Sequence, residues 1–592
     1  MRVAVRTKSA VVLAASLAVA GLTSLSPSAH AADPAPAAPA ASQSAAPSAT
    51  VYVTGSNELL ADIKYLLMLT DPIEQKQWKV LKDYLDVFLI GVDPNLPTRV
   101  DVVFDQKANR MVWSIPVSNF PKFRKDNLAA ILTPRIREMG GPGWWKLGSG
   151  KPADFNGWMQ YTAPYDRIGE TKDDVNLAPV NPSKAAQALL SHPYLILADI
   201  QNKQTDAAAL AKRHELFVAS RKQTVAAVKK DTGETAADFQ LKKKATEIEM
   251  DELEWFFTES EHATIGLNID TKKEIGRVDI ELTAIPNTAL AQNISQLCTK
   301  PSLFANVERS KTPNLAFQIN HPLGDVRKKA AIAMSSLLRD RIKARVDSDD
   351  KRTAEQKDAA KQMIDKSYAM VESGINTGIA DGFIDVHPGA SGKNVMLAAT
   401  RTADGTKLEE IISIMPKAYE GATVKLNVAE ESGVKIHSIE FAKDKHPYWS
   451  NFIGADLLYV GSSKDVLWAA AGEGALDALK KAIKKTKEPA VAGSEKAPWV
   501  ELIVRLKPWI DEALSQPPKK KGADHYPKLI QSALQAGADQ LTVRMTREGN
   551  KIVGFIEIQK GILRAAGKVA ADFSRENLDE SSQKSGSKRA QR

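Results

Sequence analysis

The sequence predicts an α+β fold. Duplicated strand–helix–β-hairpin–helix units form mainly antiparallel sheets covered by helices, with long helical-hairpin insertions. Three observations predict it. Apolar residues alternate with period two in paired runs that begin near residues 100, 265, 384 and 541, the pattern of hairpins with one buried face. Apolar faces of period 3.6 lead into and out of these runs, as amphipathic helices require. Hairpins and meanders join antiparallel neighbours, which argues against a mainly parallel sheet.

The elements follow in order. The first unit opens with the strand TVYVTG at Thr50, then a helix with Leu59, Ile63, Leu66 and Leu67 on one face. Its hairpin is RVDVVFDQKANRMVWSIPV, turning at Asp105 to Arg110, and a helix from Lys122 to Leu132 closes it. The second unit opens with YLILADI at Tyr194. Ile265, Leu267 and Ile269 share one face of its hairpin, DTKKE turns, and Val278, Ile280 and Leu282 return; Thr288 to Leu297 closes it. The third opens with LAFQIN at Leu315, has the hairpin GFIDVHPGASGKNVMLAATR and closes with Lys407 to Met415. The fourth opens with WVELIVRL at Trp499, alternates Leu541, Val543 and Met545, turns at REGN, returns through Ile552 to Ile558 and closes with Ile562 to Ala571.

Hairpins one and three, near residues 100 and 384, lie 284 residues apart; two and four, near 265 and 541, lie 276 apart. Near-equal offsets predict duplication of a two-unit half, with halves at 50–300 and 310–575. The charged stretches Thr205–His262 and Leu323–Gly378 read as helical hairpins inserted at the same point of units two and three. GWWKLGSG and GWMQYTAP in the first half match GVKIHSIEF and ADLLYVGSS in the second, all as extra strands.

Residues 1–31 read as an export signal. Arg2, Arg6 and Lys8 precede an apolar run from Ala10 to Leu22, and Ala29-His30-Ala31 is a small-x-small site, so cleavage is expected between Ala31 and Ala32. The apolar run is shorter than the roughly 20 residues a membrane span needs, and no later uncharged run reaches that length. With no cysteine near the cleavage site and no Arg-Arg pair, the general secretory route to the periplasm or exterior is expected. Residues 32–49 form an Ala/Pro-rich linker and 576–592 a polar tail, both expected to be disordered because they offer no large side chains to bury.

The formal charge of +9 is small for 592 residues with both signs mixed. That weak bias allows contact with anionic envelope polymers and gives no footprint for nucleic acid. One cysteine, Cys298, rules out an internal disulfide; following Leu290, Ile294 and Leu297, it is expected as a buried thiol at a helix end.

No catalytic signature is present. HExxH and GxSxG are absent, and the nine histidines never pair at metal spacing. Gly150-Lys151 and Gly392-Lys393 have Trp145 and His387 where a phosphate loop needs glycine. His192, His321, His387 and His446 each precede proline, which makes them strand boundaries. No catalytic residue, metal or cofactor is therefore expected. Trp144, Trp145, Phe155, Trp158 and Tyr161 crowd a glycine-rich stretch. Of these, Trp144, Trp145, Trp158 and Tyr161 are the ligand-binding candidates, since rigid aromatic walls stack on sugars or apolar ligands; the competing role is core packing. The lysine- and arginine-dense run from Arg327 fits a membrane-surface helix or a solvated one, and the acids that follow favour the latter.

The order of these features resembles large exported proteins of unknown function from planctomycete-like bacteria, with the segment DLLYVGSSKDVLWAAAGEGALDALKKA at Asp456 carrying the resemblance best. That resemblance implies no activity and carries over no functional residue. The expected role is a non-enzymatic binding or scaffolding protein of the envelope, whose partner is an envelope polymer, a protein or an amphiphile. One alternative is an amphiphile or glycan carrier using the aromatic groove. Another is a hydrolase whose acids, such as Asp101, Asp105 or Asp385, converge in a cleft.

Overall fold

The computed structural model describes residues 49–103, 110–128, 136–148, 156–190, 194–202, 204–442, 453–488, 497–515, 524–534 and 538–575. The signal with Ala31 and Ala32, linker residues 32–48, Asp105, Gly150-Lys151, Phe155, His192, His446 and the polar tail lie outside them, while Ala49, expected to end the linker, is a buried residue of the first strand.

The first ten strands are β1 (Ala49–Val53), β2 (Thr98–Val103), β3 (Arg110–Pro116), β4 (Arg137–Glu138), β5 (Trp144–Leu147), β6 (Gly157–Thr162), β7 (Tyr165–Gly169), β8 (Ile196–Gln201), β9 (Ser260–Asp270) and β10 (Ile275–Ala284). The next ten are β11 (Leu315–Pro322), β12 (Ile379–Pro388), β13 (Asn394–Arg401), β14 (Thr423–Glu431), β15 (Val434–Glu440), β16 (Leu457–Ser462), β17 (Val466–Ala471), β18 (Val500–Arg505), β19 (Gln540–Glu548) and β20 (Lys551–Gln559). All twenty join one sheet, and every pairing is antiparallel. From one edge the order is β4-β5-β6-β7-β3-β2-β1-β8-β9-β10, and from the other it is β14-β15-β16-β17-β13-β12-β11-β18-β19-β20. The two runs have the same order and meet where β10 pairs with β20, with Asp279 opposite Phe555 at the midpoint.

Helices fill the same slots in each unit. The first strand leads to α1 (Ser56–Met68) and α2 (Gln77–Val87) in unit one, and to α3 (Ala207–Ala227) and α4 (Ala236–Thr258) in unit two, which α5 (Ala289–Gln296) closes. Unit three has α6 (Asp325–Asp347) and α7 (Ala354–Asn376), closed by α8 (Leu408–Ala418). After β17 comes α9 (Ala475–Lys485). Unit four has α10 (Leu506–Ser515) and α11 (His525–Leu534), closed by α12 (Lys560–Ser574). The long helices start where side chains satisfy free backbone N–H groups: Asp206 accepts from Ala208 and Ala209, and Thr353 forms a capping box with Gln356. Unit one closes differently from the sequence expectation. Asn119 caps a single turn at Phe120–Lys122, which widens into a π-helical turn over Phe123–Leu128. There the buried Asn127 amide donates to the carbonyls of Phe88 and Ile90, at 2.7 and 3.2 Å.

Alternation sorts the sheet into two faces. One inter-strand row runs Leu267–Val278–Ile556–Val543–Leu502–Phe317–Ile384, wholly apolar across the seam. The neighbouring row runs Gly266–Asp279–Phe555–Arg544–Glu501–Gln318–Phe383 and faces the other way, so its charges sit on the opposite side. Core clusters lie under the helices of each half. Phe217, Met250, Phe257 and Ile294 pack in the first; Phe304, Phe383, Trp468, Leu479 and Ile483 pack in the second.

Helix contacts tie the halves together. Arg327 on α6 makes a two-pronged bond to Glu252 on α4, at 2.8 and 2.6 Å, and lies 5.0 Å over the Trp255 ring. Arg341 pairs with Asp238 between the same two helices. At the other end α12 packs on α1: Arg564 Nε donates to the Leu69 carbonyl at 2.6 Å, and a Cβ added at Gly567 would overlap the Leu66 carbonyl oxygen. Among the described residues no helix is long and apolar enough to cross a membrane.

Candidate binding site

The aromatic candidates fall on two faces of one hairpin. In the β5–β6 pair Trp144 faces Gln160, Trp145 faces Met159 and Lys146 faces Trp158. Trp145 and Tyr161 therefore turn into the core with Leu147, Met159 and Ile168. Phe120 sits against both, 4.7 Å from Trp145 and 4.2 Å from Tyr161. Trp144 and Trp158 turn the other way and meet edge to face at 6.4 Å. Lys172 occupies the angle between them, its Nζ 5.0 Å from Trp144 and 4.7 Å from Trp158, and donates to the Gly140 carbonyl at 3.0 Å. Lys146 covers Trp158 again at 4.8 Å. The four rings do not make one wall, and the outward pair already stacks on the chain's own ammonium groups.

The same core holds an unusual acid. Asp166, on β7 between Ile115 and Tyr161, is 0% exposed, and neither carboxyl oxygen has a hydrogen-bond partner among the described residues. Burial drives its pKa well above the carboxylate range, only partly opposed by Arg167.

The acids considered for hydrolysis are apart and engaged. Asp101 accepts from Thr50 Oγ1 at 3.0 Å and from Arg99 Nη2 at 2.6 Å. Asp385 accepts from the Ser310 amide at 2.6 Å and bonds His387 Nδ1 at 3.0 Å. Both are buried, at matching places on β2 and β12. Nine inter-strand steps separate β2 from β12, about 43 Å along the sheet at ~4.8 Å per step. Among the described residues no group of three His, Cys, Asp or Glu side chains is placed to hold a metal.

Sequence reasoning missed a cavity of about 410 Å³ walled by three separate segments: Cys298–Arg309, Gln318–Asn320 of β11, and Ala497–Trp499. Each segment is held by backbone bonds. The Trp499 amide donates to Met545 O at 3.1 Å, and the Asn320 amide to Trp499 O at 2.8 Å. The Trp499 ring meets His321 at 5.0 Å, and its indole N–H is buried without a hydrogen-bond partner among the described residues. Burial beside this ring and Arg327 pushes the His321 pKa down to about 4.

Arg309 bonds Gln318 Oε1 and lies 5.3 Å over the Phe383 ring. Burial lowers its pKa, against the pull of Glu501, Asp385 and Asp381 at longer range, and among the described residues no carboxylate comes within 4.0 Å of it. Lys300 is exposed at the rim. Among the described residues no Asp or Glu lines the cavity. Cys298 also differs from expectation. It is half-buried, two residues past α5, in the left-handed region at φ 59°, with Sγ 3.5 Å from the Ala497 carbonyl. The helix stops before it because Leu297 turns extended at ψ 140°.

A second hollow, of about 500 Å³, lies over the β10–β20 seam, where Arg277 pairs with Asp279 at 2.7 Å and Glu281 with Lys551 at 2.6 Å. No protein-family model, curated protein or solved structure matches this chain.

Proposed function

We propose that this chain is an exported, non-enzymatic binding protein of the cell envelope, and that the cavity between Arg309 and Trp499 is its ligand site. The observation that carries the reading is that cavity: walled by three converging segments, with apolar surface from Pro301, Val307, Ile319 and the Trp499 ring, and with the Arg309 guanidinium meeting no carboxylate among the described residues. Two further features support it over the alternatives. Asp101 and Asp385 are engaged in separate networks, as structural acids are. The Trp144–Trp158 angle is filled by Lys172, so a carrier using that groove would first have to expel an ammonium. The matching order of the two ten-strand runs supports an internal duplication, with the site built where the second half begins.

The test uses the full chain, expressed with residues 1–31 in an exporting bacterium and purified from its envelope fraction. The expected N-terminus is Ala32, and native mass spectrometry is expected to find a bound small molecule that the cavity-filling Ile319→Trp variant loses. A retained Met1 overturns export. The absence of any bound mass, or an equal one in the variant, overturns binding at this cavity.

A further inference from the structure

We infer that the Arg309–Trp499 cavity takes an organic carboxylate: a single anionic head on a compact apolar body. This rests on the binding role proposed above and names the ligand class.

The charge of the lining is one-sided. Among the described residues two cationic side chains, Arg309 and Lys300, reach it and no acid does. The acids nearest Arg309 are already committed. Asp381 accepts from Ser302 Oγ at 2.6 Å, the Leu303 amide at 2.9 Å and Arg401 at 3.2 Å. Asp385 is held by Ser310 and His387, and Glu501 lies 3.9 Å from Arg544. A guanidinium half-withdrawn from water over a phenyl ring, with one amide oxygen as its described partner, lacks the counter-charge that buried arginines normally carry. A bound carboxylate supplies that charge and accepts two parallel N–H bonds from the fork.

The rest of the wall selects the body. Pro301, Ala305, Val307, Ile319, Ala497 and Pro498 present apolar surface, and the Trp499 ring adds a flat one. An inorganic anion would leave that surface in water, while a cation would meet Arg309 and Lys300 unscreened. The volume of about 410 Å³ is within the range of about 300–1,000 Å³ usual for small-molecule sites.

The experiment is calorimetric titration of the exported full chain with benzoate, indole-3-acetate and octanoate, each against its neutral amide, with inorganic phosphate as a bare anion. At least one carboxylate is expected to bind about tenfold or more tighter than its amide, and Ile319→Trp is expected to abolish that binding. Arg309→Gln is expected to weaken it by about 10- to 100-fold, the worth of a charge-assisted bond. The acid-against-amide comparison on the unmodified chain carries the test if Arg309→Gln fails to fold. Equal binding of acid and amide, phosphate binding as well as the carboxylates, or no carboxylate binding at all overturns the inference. The binding role stands or falls separately, on whether native mass spectrometry finds a bound mass that Ile319→Trp removes.

Discussion

Strands β7 and β17 hold matching places, each between an inner hairpin strand and the next strand outward, yet they bury different chemistry. β7 lies between β3 and β6 and carries Tyr165, Asp166 and Arg167, all buried. β17 lies between β13 and β16 and buries Val466, Trp468 and Ala470 under α9. On the β17 side, Phe304, Phe383 and Trp468 meet edge to face at 5.4 to 6.4 Å, and Leu479 and Ile483 are fully enclosed. On the β7 side, an unpaired carboxyl and the unbonded Trp145 indole share the core with the Phe120–Tyr161 stack. The same strand order is therefore reached with a dry aromatic–aliphatic core and with one that contains uncompensated polar groups. Alternation and connectivity fix the order; the identity of the core residues sets how much stability each region contributes.

That comparison can be broken or sharpened by substitution. The largest expected effect is at β17: Trp468→Ala opens a cavity in a well-packed core and costs about 3–5 kcal/mol, read from the urea midpoint. If it cost no more than a surface change, the dry core would not be the stronger region. At β7 the sign reverses. Asp166→Leu removes an unsatisfied buried group and stabilises by about 1–3 kcal/mol.

The pH dependence follows from the same residue. A folded carboxyl whose pKa is raised above the usual 3.8 holds its proton more tightly than the unfolded one. Its contribution is most favourable below pH 3.8 and declines as pH rises towards the raised value. Asp166→Asn is expected to remove that decline, seen as the difference between wild-type and variant stability curves measured from pH 3 to 8. A difference that does not change with pH would mean the carboxyl is solvated after all, and one that grows in favour of the wild type as pH rises would mean it is paired. The smallest effect is at the outward tryptophans. Lys172→Ala removes a cation stacked on two rings at a partly exposed site and costs about 0.5–1 kcal/mol, accompanied by a change in tryptophan emission.

Local patterns were readable from the sequence because their causes are local. The alternation of Ile265, Leu267 and Ile269 against Val278, Ile280 and Leu282 gives both the hairpin and its face, and Ile280 does stand opposite Ile265. The helical insertions declare themselves through caps such as Asp206 and Thr353. Even the division of Trp144 and Trp158 from Trp145 and Tyr161 is contained in the period of two, once the stretch is recognised as a strand pair rather than a loop. The seam was not readable: pairing Asp279 with Phe555 joins residues 276 positions apart, and no local signal marks which edges will meet. The cavity was hidden for the same reason, since Arg309, Ile319 and Trp499 converge only after the sheet has formed and none belongs to a motif.

The β10–β20 seam has a consequence for assembly. Either run of ten strands alone would end in an open edge of nine or ten residues, which is the template by which sheets recruit a second copy. Here the recruited edge is supplied within the same chain. The arrangement has the geometry of a two-fold dimer without its dependence on concentration, because the partner edge is tethered and always present. It also escapes the dimer's other constraint, under which every substitution appears twice. One chain carrying both edges can keep Asp166 on one side and a dry core on the other, and can hollow a site beside Trp499 without hollowing its counterpart.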